Sequence, residues 1–185
     1  MKRMLFVLLV MVACSGQFCG EAAPTETGPK NICDRSWYSD TFRIGVDFPA
    51  DIGEQRNADA VEGLDLNLSW NWNVIDPPVK FSLVVFQPAQ ENTLVQFRQA
   101  WLDALEEDGN FDILNEAYIT LDDGAQGWYL AIARKDKPGV INELVMTVTQ
   151  GRSAYVSAAY STELVSEAQV DQIGDVLHSF CADLE

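Results

Sequence analysis

Carboxylates are the residues of this sequence best supplied for acid–base chemistry or cation binding. They crowd one short segment and recur as a pair further along the chain: Asp103, Glu106, Glu107, Asp108 and Asp112, then Asp122 and Asp123. Paired carboxylates can perform acid–base catalysis or hold calcium, but no EF-hand spacing is present. The crowded segment includes Gly109 and Asn110, which end a predicted helix, so water should screen its charges. We interpret both groups as solvated surface and keep a carboxylate-dependent hydrolase as the alternative function.

His178 is the only histidine in the sequence, and it lies in the last turns of a predicted helix. A protonated imidazole at this end interacts favourably with the helix dipole, which favours a structural role. No Gly-x-Ser-x-Gly motif accompanies His178, so a serine-hydrolase triad is not supported. The four cysteines form no Cys-x-x-Cys pair, and glycine-rich nucleotide motifs are absent. The sequence therefore predicts no catalytic residue, no metal ligand and no cofactor or nucleotide site.

A polar ladder on one predicted strand is the candidate ligand surface. Its members alternate with large apolar residues and are Asp65, Asn67, Ser69 and Asn71. Trp70 and Trp72 lie on the opposite side of the same strand. If the strand is at a sheet edge, Asn and Trp side chains together could bind a sugar or a peptide. If the strand is central, the indoles belong to the core, and the sequence does not decide between these alternatives.

Seven predicted strands and two predicted helices must position these residues. Alternation of apolar and polar residues predicts strands over 42–48 and 64–72, and four successive strands from Ala117 to Ser161. The segment 81–86, which ends before Pro88, supplies a further predicted strand. Asp-Gly, Pro-Gly and Gly turns separate the last four strands, as in an antiparallel meander. The order predicts an α+β fold, with a largely antiparallel, twisted sheet of about six to seven strands covered by a central and a C-terminal helix.

Both helices begin at a capping-box spacing. The first is predicted from Thr93, with Gln96 three residues later, to Gly109. The second begins near Ser166, with Gln169 at the same offset. The two apolar stripes are Leu94, Phe97, Trp101 and Leu105, then Val170, Ile173, Leu177, Phe180 and Leu184. We expect both stripes, including the Trp101 indole, to pack into the core.

The N-terminus has the pattern of an export signal. Lys2 and Arg3 precede an apolar run, over 4–12, that is too short to span a bilayer. The run ends in Val-Ala-Cys and resembles a bacterial lipoprotein signal, although Met11 replaces the preferred leucine. This predicts a signal peptide over 1–13 and lipidation of Cys14. A soluble periplasmic or secreted product is the rival interpretation.

The residues after Cys14 bear on sorting and on domain boundaries. The resemblance implies that Ser15 directs the lipoprotein to an outer membrane, if the cell has one. Residues 14–32 are small and polar without periodicity, and predict a flexible tether. The folded domain is therefore expected over 33–185.

Cys33 and Cys181 lie at opposite ends of the predicted domain. An exported chain reaches an oxidising compartment, so these two residues are natural disulfide partners. Cys19 is then the remaining cysteine, and its pairing with Cys33 is the alternative.

The formal net charge of −16 limits the possible partners. Removal of Lys2 and Arg3 with the signal peptide would take the count to about −18. Such a field repels nucleic-acid phosphates and anionic lipid head groups, so both are disfavoured as ligands. A basic protein partner or a cation remains compatible with the charge.

A family resemblance rests on pattern over about residues 36–182. The segment Phe42-Arg43-Ile44-Gly45-Val46-Asp47-Phe48-Pro49 resembles the opening strand of the PsbP-like superfamily, which ends in a Phe-Pro or Tyr-Pro step. A central helix, a glycine-containing hairpin near Gly124, a Tyr-rich strand and a final helix before Phe180 complete the similarity. The resemblance implies a PsbP-like αβα sandwich, closest to DcrB-like and LpqN-like envelope lipoproteins. Because these proteins mostly bind others and assist assemblies, it implies a tethered accessory protein with an envelope protein partner, and no enzyme.

Overall fold

The computed structural model describes residues 33–57, 61–88, 93–149 and 151–182. The predicted signal peptide, the lipidation site Cys14, Cys19 and the tether lie outside the described residues, as does Leu184. None of the helices described is long and apolar enough to cross a bilayer.

The described residues form an α+β fold, as predicted. In chain order the elements are β1 Trp37–Ser39, β2 Ile44–Val46, β3 Arg56–Asn57, β4 Leu64–Trp72, β5 Val79–Phe86, α1 Leu94–Asp108, β6 Phe111–Thr120, β7 Gln126–Arg134, β8 Val140–Thr149, β9 Arg152–Ser161, α2 Glu167–His178 and β10 Cys181–Ala182. Seven strands form one antiparallel sheet in the order β3-β4-β5-β9-β8-β7-β6. The predicted meander is thus β6 to β9, and β5 pairs with its last strand.

One helix covers each face of the large sheet. On one face α1 packs against a cluster of buried side chains from β7 and β8: Trp128, Leu130, Ile132, Leu144 and Met146. On the other face α2 contributes Ile173, Val176 and Leu177 to the larger core. The αβα sandwich places each amphipathic helix with its apolar side toward the sheet.

Both capping boxes are confirmed. The Thr93 hydroxyl accepts a hydrogen bond from the Gln96 backbone, and the Gln96 side chain accepts one from the Thr93 backbone. Ser166 and Gln169 make the same reciprocal pair. Gly109 ends α1 with φ of 68°, a left-handed conformation that glycine adopts without a steric penalty.

The predicted strand at 42–48 is wrong in length and in sheet. Only Ile44–Val46 forms a strand, and it lies at the centre of a separate three-stranded sheet, β1-β2-β10. Residues 44–46 are completely buried, so both faces of this short strand are covered. The alternation seen in the sequence therefore does not extend into a longer ladder.

The predicted second helix is also too long. It ends at His178, and Ser179 turns the chain because its hydroxyl donates to the Val176 carbonyl (2.7 Å) and accepts from the Asp47 backbone (2.8 Å). Phe180 is fully buried, as its place in the stripe predicted, but it lies beyond the helix. Cys181 then pairs with Gly45 in the small sheet.

A disulfide joins Cys33 to Cys181, as predicted. Both cysteines are buried, with at most 1% exposed surface. The bond fastens the start of the described domain to β10, beside the C-terminal end of α2.

Candidate protein-interaction surface

The polar ladder lies on β4, next to the edge of the large sheet. β3 pairs with β4 only at Ser69 and Leu68, so most of β4 has β5 as its only described neighbour. Trp70 and Trp72 are 4% and 2% exposed and belong to the core. The strand therefore lies near a sheet edge, as in the first alternative, while its indoles belong to the core, as in the second.

The ladder residues themselves are not brought together with the tryptophans. Asp65 is exposed and forms a salt bridge with Arg152 (3.0 Å), while Asn67, Ser69 and Asn71 are half-buried. The register places Asn67 across from Val84, and Val84 across from Tyr155, on the face that α1 covers. The role of the ladder as a ligand surface remains a prediction.

The Asp122–Asp123 pair connects the turn after β6 to residues near both ends of the described chain. Asp122 accepts a salt bridge from Arg35 (2.7 Å). Asp123 accepts backbone hydrogen bonds from Ala125 (2.8 Å) and Ala182 (2.6 Å). These contacts give both carboxylates structural partners.

The other acidic group occupies the end of α1 and the start of β6. Asp103, Glu106, Glu107, Asp108 and Asp112 are all exposed. The part of the chain that the structure describes contains no cluster of three or more His, Cys, Asp or Glu residues that could hold a metal ion. The segment is therefore a solvated surface, and it adds no support to the alternative hydrolase.

His178 is the last residue of α2 and is exposed. Its position at the negative end of the helix dipole fits the structural role predicted for it. It also lines two cavities that flank the helix terminus.

β6 is an exposed edge of the large sheet. It pairs with β7 on one side, and no strand among the described residues pairs with its other side. Eight of its ten residues are exposed along its length. An unpaired strand of this length presents a row of backbone N–H and C=O groups to any extended chain.

Apolar side chains are concentrated at this edge. Seven large apolar side chains are strongly exposed in the described residues, and three of them lie on β6: Ile113 (48%), Leu114 (53%) and Tyr118 (54%). A register shift between Ile113 and Asn115 sets Leu114 out of the regular ladder. Exposed apolar groups clustered on one strand indicate an interaction surface better than single scattered ones do.

A groove of about 310 Å³ lies between α1 and β6. Its lining is Leu102, Leu105, Glu106, Phe111, Ile113 and Glu116. The floor is apolar, and two carboxylates lie among its walls. We call the outer edge of β6 together with this groove the β6 edge surface.

Arg98 of α1 fastens the helix to this edge. Its guanidinium donates to both carboxylate oxygens of Glu116, at 2.8 and 2.9 Å. It also lies 5.9 Å from the centroid of the Tyr118 ring and 5.6 Å from that of Trp128, within cation–π range. The edge is therefore supported by the helix beside it.

The sequence did not predict the first half of β6. Residues 111–116 include three polar residues among the apolar ones, and because neither side of an edge strand is fully covered, no clean alternation results. The available signal is the apolar pair Ile113-Leu114, shortly after the glycine that stops α1.

Comparisons with known proteins support the fold and nothing narrower. No protein-family model and no curated protein match the sequence. Among solved structures, the chain is similar to cyanobacterial PsbP (CyanoP) from Synechocystis sp. PCC 6803, with 10% identity, a TM-score of 0.60, and coverage of 80% of this chain and 91% of that one. A protein from Bacteroides thetaiotaomicron VPI-5482 is similar more weakly, at 11% identity and a TM-score of 0.36, over 77% of this chain and 46% of that one. The fold is therefore PsbP-like, as the sequence resemblance predicted.

Proposed function

We propose that this protein is a lipid-anchored binding or accessory protein of the bacterial cell envelope that engages a partner protein through the β6 edge surface. The observation that carries the proposal is the exposed ten-residue edge strand with its apolar side chains. The extracytoplasmic location is supported by the export-type N-terminus and by the Cys33–Cys181 disulfide, since disulfides persist in oxidising compartments. A relation to DcrB-like and LpqN-like lipoproteins accords with the PsbP-like fold.

The partner's contribution is an extended segment that adds an eighth strand to the sheet. Main-chain hydrogen bonds to the outer edge of β6 would supply affinity in this mode, and alternate side chains would supply specificity. Alternate side chains of the added strand would point toward the groove between α1 and β6, whose apolar floor accepts a branched aliphatic group.

The acidic residues at this surface favour a basic segment in the partner. Glu106 lines the groove together with Glu116, whose charge is paired with Arg98, and the exposed acidic end of α1 adjoins it. A segment of alternating lysine and aliphatic residues therefore complements this surface. A second copy of this chain is disfavoured as the occupant, because two molecules of net charge −16 repel each other.

Leu114→Lys should weaken binding of a short alternating Lys-Val peptide by at least about tenfold, which corresponds to about 1.4 kcal/mol. An added lysine repels the peptide and protects an edge strand against pairing. Binding is measured by NMR titration of the β6 backbone amides.

Leu164→Lys is the matched control for this substitution. Leu164 is 47% exposed, against 53% for Leu114, and lies in the turn before α2. Equal loss of affinity in both variants would contradict the location of the surface. A peptide in which proline replaces valine should not bind, because proline cannot donate to the ladder. Dimerisation through β6 at working concentrations would instead identify a second copy as the occupant.

Metabolic labelling with a fatty acid should mark the wild-type protein and not the Cys14→Ser variant. The expectation rests on the Val-Ala-Cys end of the apolar N-terminal run. Wild-type protein that carries no label would favour a soluble exported product, and label that persists in Cys14→Ser would place the lipid on another residue.

A further inference from the structure

Glu143 lies between two tyrosines on the face of the large sheet that α2 covers. It is a half-buried residue of β8, flanked by β7 and β9. The Tyr129 hydroxyl donates to its carboxylate at 3.1 Å. Burial raises the pKa of both Tyr129 and Tyr160, and the charge of Glu143 and a hydrogen bond to it raise them further. The tyrosines therefore remain neutral hydrogen-bond donors beside the Glu143 side chain.

Two cavities open on this face of the sheet, under α2. One, of about 300 Å³, is lined by Tyr129 and Glu143 together with Ile119, Val145 and Leu177. The other, of about 540 Å³, is lined by Tyr160 with Ile141 and Val165. Both reach Val170, an exposed residue of α2. Their volumes fall in or near the range of small-molecule sites, roughly 300–1,000 Å³.

Gly174 keeps the smaller cavity open. It lies inside α2, where glycine is less favourable than any residue except proline. A Cβ atom at this position would meet nothing within 4 Å. Close packing therefore does not require this glycine, and the space next to it belongs to the cavity.

The charged groups around the two cavities are predominantly acidic. Glu143 lines the smaller cavity, and Glu167 and Asp171 line the larger one. The described residues that line the two cavities include no lysine or arginine, and His178 contributes to the smaller cavity. A carboxylate with tyrosine rings beside it and aliphatic walls matches an organic cation, whose charge is attracted by the carboxylate and by aromatic faces.

We propose that the cavity under α2 binds a small organic ammonium ion, with the ammonium group on Glu143 and the apolar body against Ile119, Val145 and Leu177. This site is on the opposite face of the sheet from α1 and its groove, although Ile119 of β6 contributes to its wall. A protein carrying both sites would combine a protein partner with a small-molecule ligand.

2-Phenylethylammonium is the probe that tests the proposal, with 2-phenylethanol and 3-phenylpropionate as its neutral and anionic counterparts. We expect the ammonium ion to bind the purified protein with a dissociation constant of about 1 mM or tighter, and the two counterparts to bind at least about tenfold more weakly. Backbone amide shifts of residues 129, 143, 170 and 174 should follow the same saturation curve.

Two variants test the site without relying on each other. Glu143→Gln keeps the size of the side chain and its hydrogen-bond acceptor but removes the charge, so ammonium binding should fall by at least about tenfold. Gly174→Leu fills the cavity, and it should fold because its Cβ meets no atom, so binding should be lost. Thermal unfolding of each variant establishes that it is folded.

Three outcomes would overturn the proposal. One is the absence of saturable binding at concentrations well above about 1 mM. Another is equal binding of the alcohol and the ammonium ion, which would show that the charge of the ligand is not recognised by Glu143. The third is undiminished ammonium binding in folded Glu143→Gln and Gly174→Leu proteins, which would place the ligand elsewhere.

Discussion

Replacement of both Cys33 and Cys181 by serine is expected to lower the free energy of unfolding by about 3–5 kcal/mol. The disulfide spans 148 residues, and a cross-link closing so long a loop removes much of the entropy of the unfolded chain. Both sulfurs are buried, so two serine hydroxyls in their place would add a desolvation cost. Urea unfolding of the oxidised protein and of the variant, extrapolated to water, measures the difference.

The matched control keeps Cys33 and Cys181 and replaces Cys14 and Cys19 with serine. Its stability should equal that of the wild-type domain, because neither residue belongs to the disulfide. Peptide mapping without reductant should recover Cys33 linked to Cys181. A linkage of Cys19 to either residue, or equal stability of all three proteins, would contradict the assignment.

The disulfide also explains why the C-terminal part of the chain departs from its predicted helix. Ile173, Leu177 and Phe180 fit a helical stripe, so periodicity alone extends α2 beyond His178. Two contacts distant in sequence stop it: the Ser179 hydroxyl accepts from Asp47, 132 residues away, and Cys181 is bonded to Cys33. Local sequence cannot reveal contacts of this range.

Elements with one fully covered face could be predicted, and the edge could not. β4 alternates cleanly in the sequence because one of its sides meets the core, and both helices carry capping boxes that fix their starts. β6 lies at the end of the sheet, so burial imposes no pattern on most of it.

The candidate sites depend on tertiary placement for the same reason. The groove at the β6 edge forms because α1 and β6 lie side by side, which brings Leu102 and Leu105 to Ile113. In the sequence, Glu143 is one polar residue of a predicted strand. Its role emerges only when β7 and β9 place tyrosines beside it and α2 leaves space above it.

The Trp101 side chain is less buried than its place in the α1 stripe predicted. It is partly buried and meets Tyr155 edge-on, with ring centroids 5.6 Å apart. Leu105 is the only buried residue of α1, whereas α2 buries three. The α1 helix therefore shields the cluster on its side of the sheet mainly with partly exposed side chains.

Trp128→Ala should consequently cost far more stability than Trp101→Ala. Trp128 is 0% exposed at the centre of the cluster under α1, and truncation of such a side chain costs about 3–5 kcal/mol. Truncation of the partly buried Trp101 should lower the free energy of unfolding by less than about 3 kcal/mol, because this side chain has fewer contacts to lose. Urea unfolding of both variants gives the comparison.

Trp128→Phe separates the volume of the indole from its polar group. The Trp128 N–H is buried and has no hydrogen-bond acceptor among the described residues, so phenylalanine removes an unsatisfied donor while it keeps an aromatic ring near Arg98. We expect Trp128→Phe to lower the free energy of unfolding by about 1–2 kcal/mol, well below the loss in the alanine variant.

Equal losses of stability in Trp101→Ala and Trp128→Ala would mean that α1 packs more deeply against the sheet than described. That result would also contradict the presence of the shallow groove between α1 and β6, which is part of the β6 edge surface.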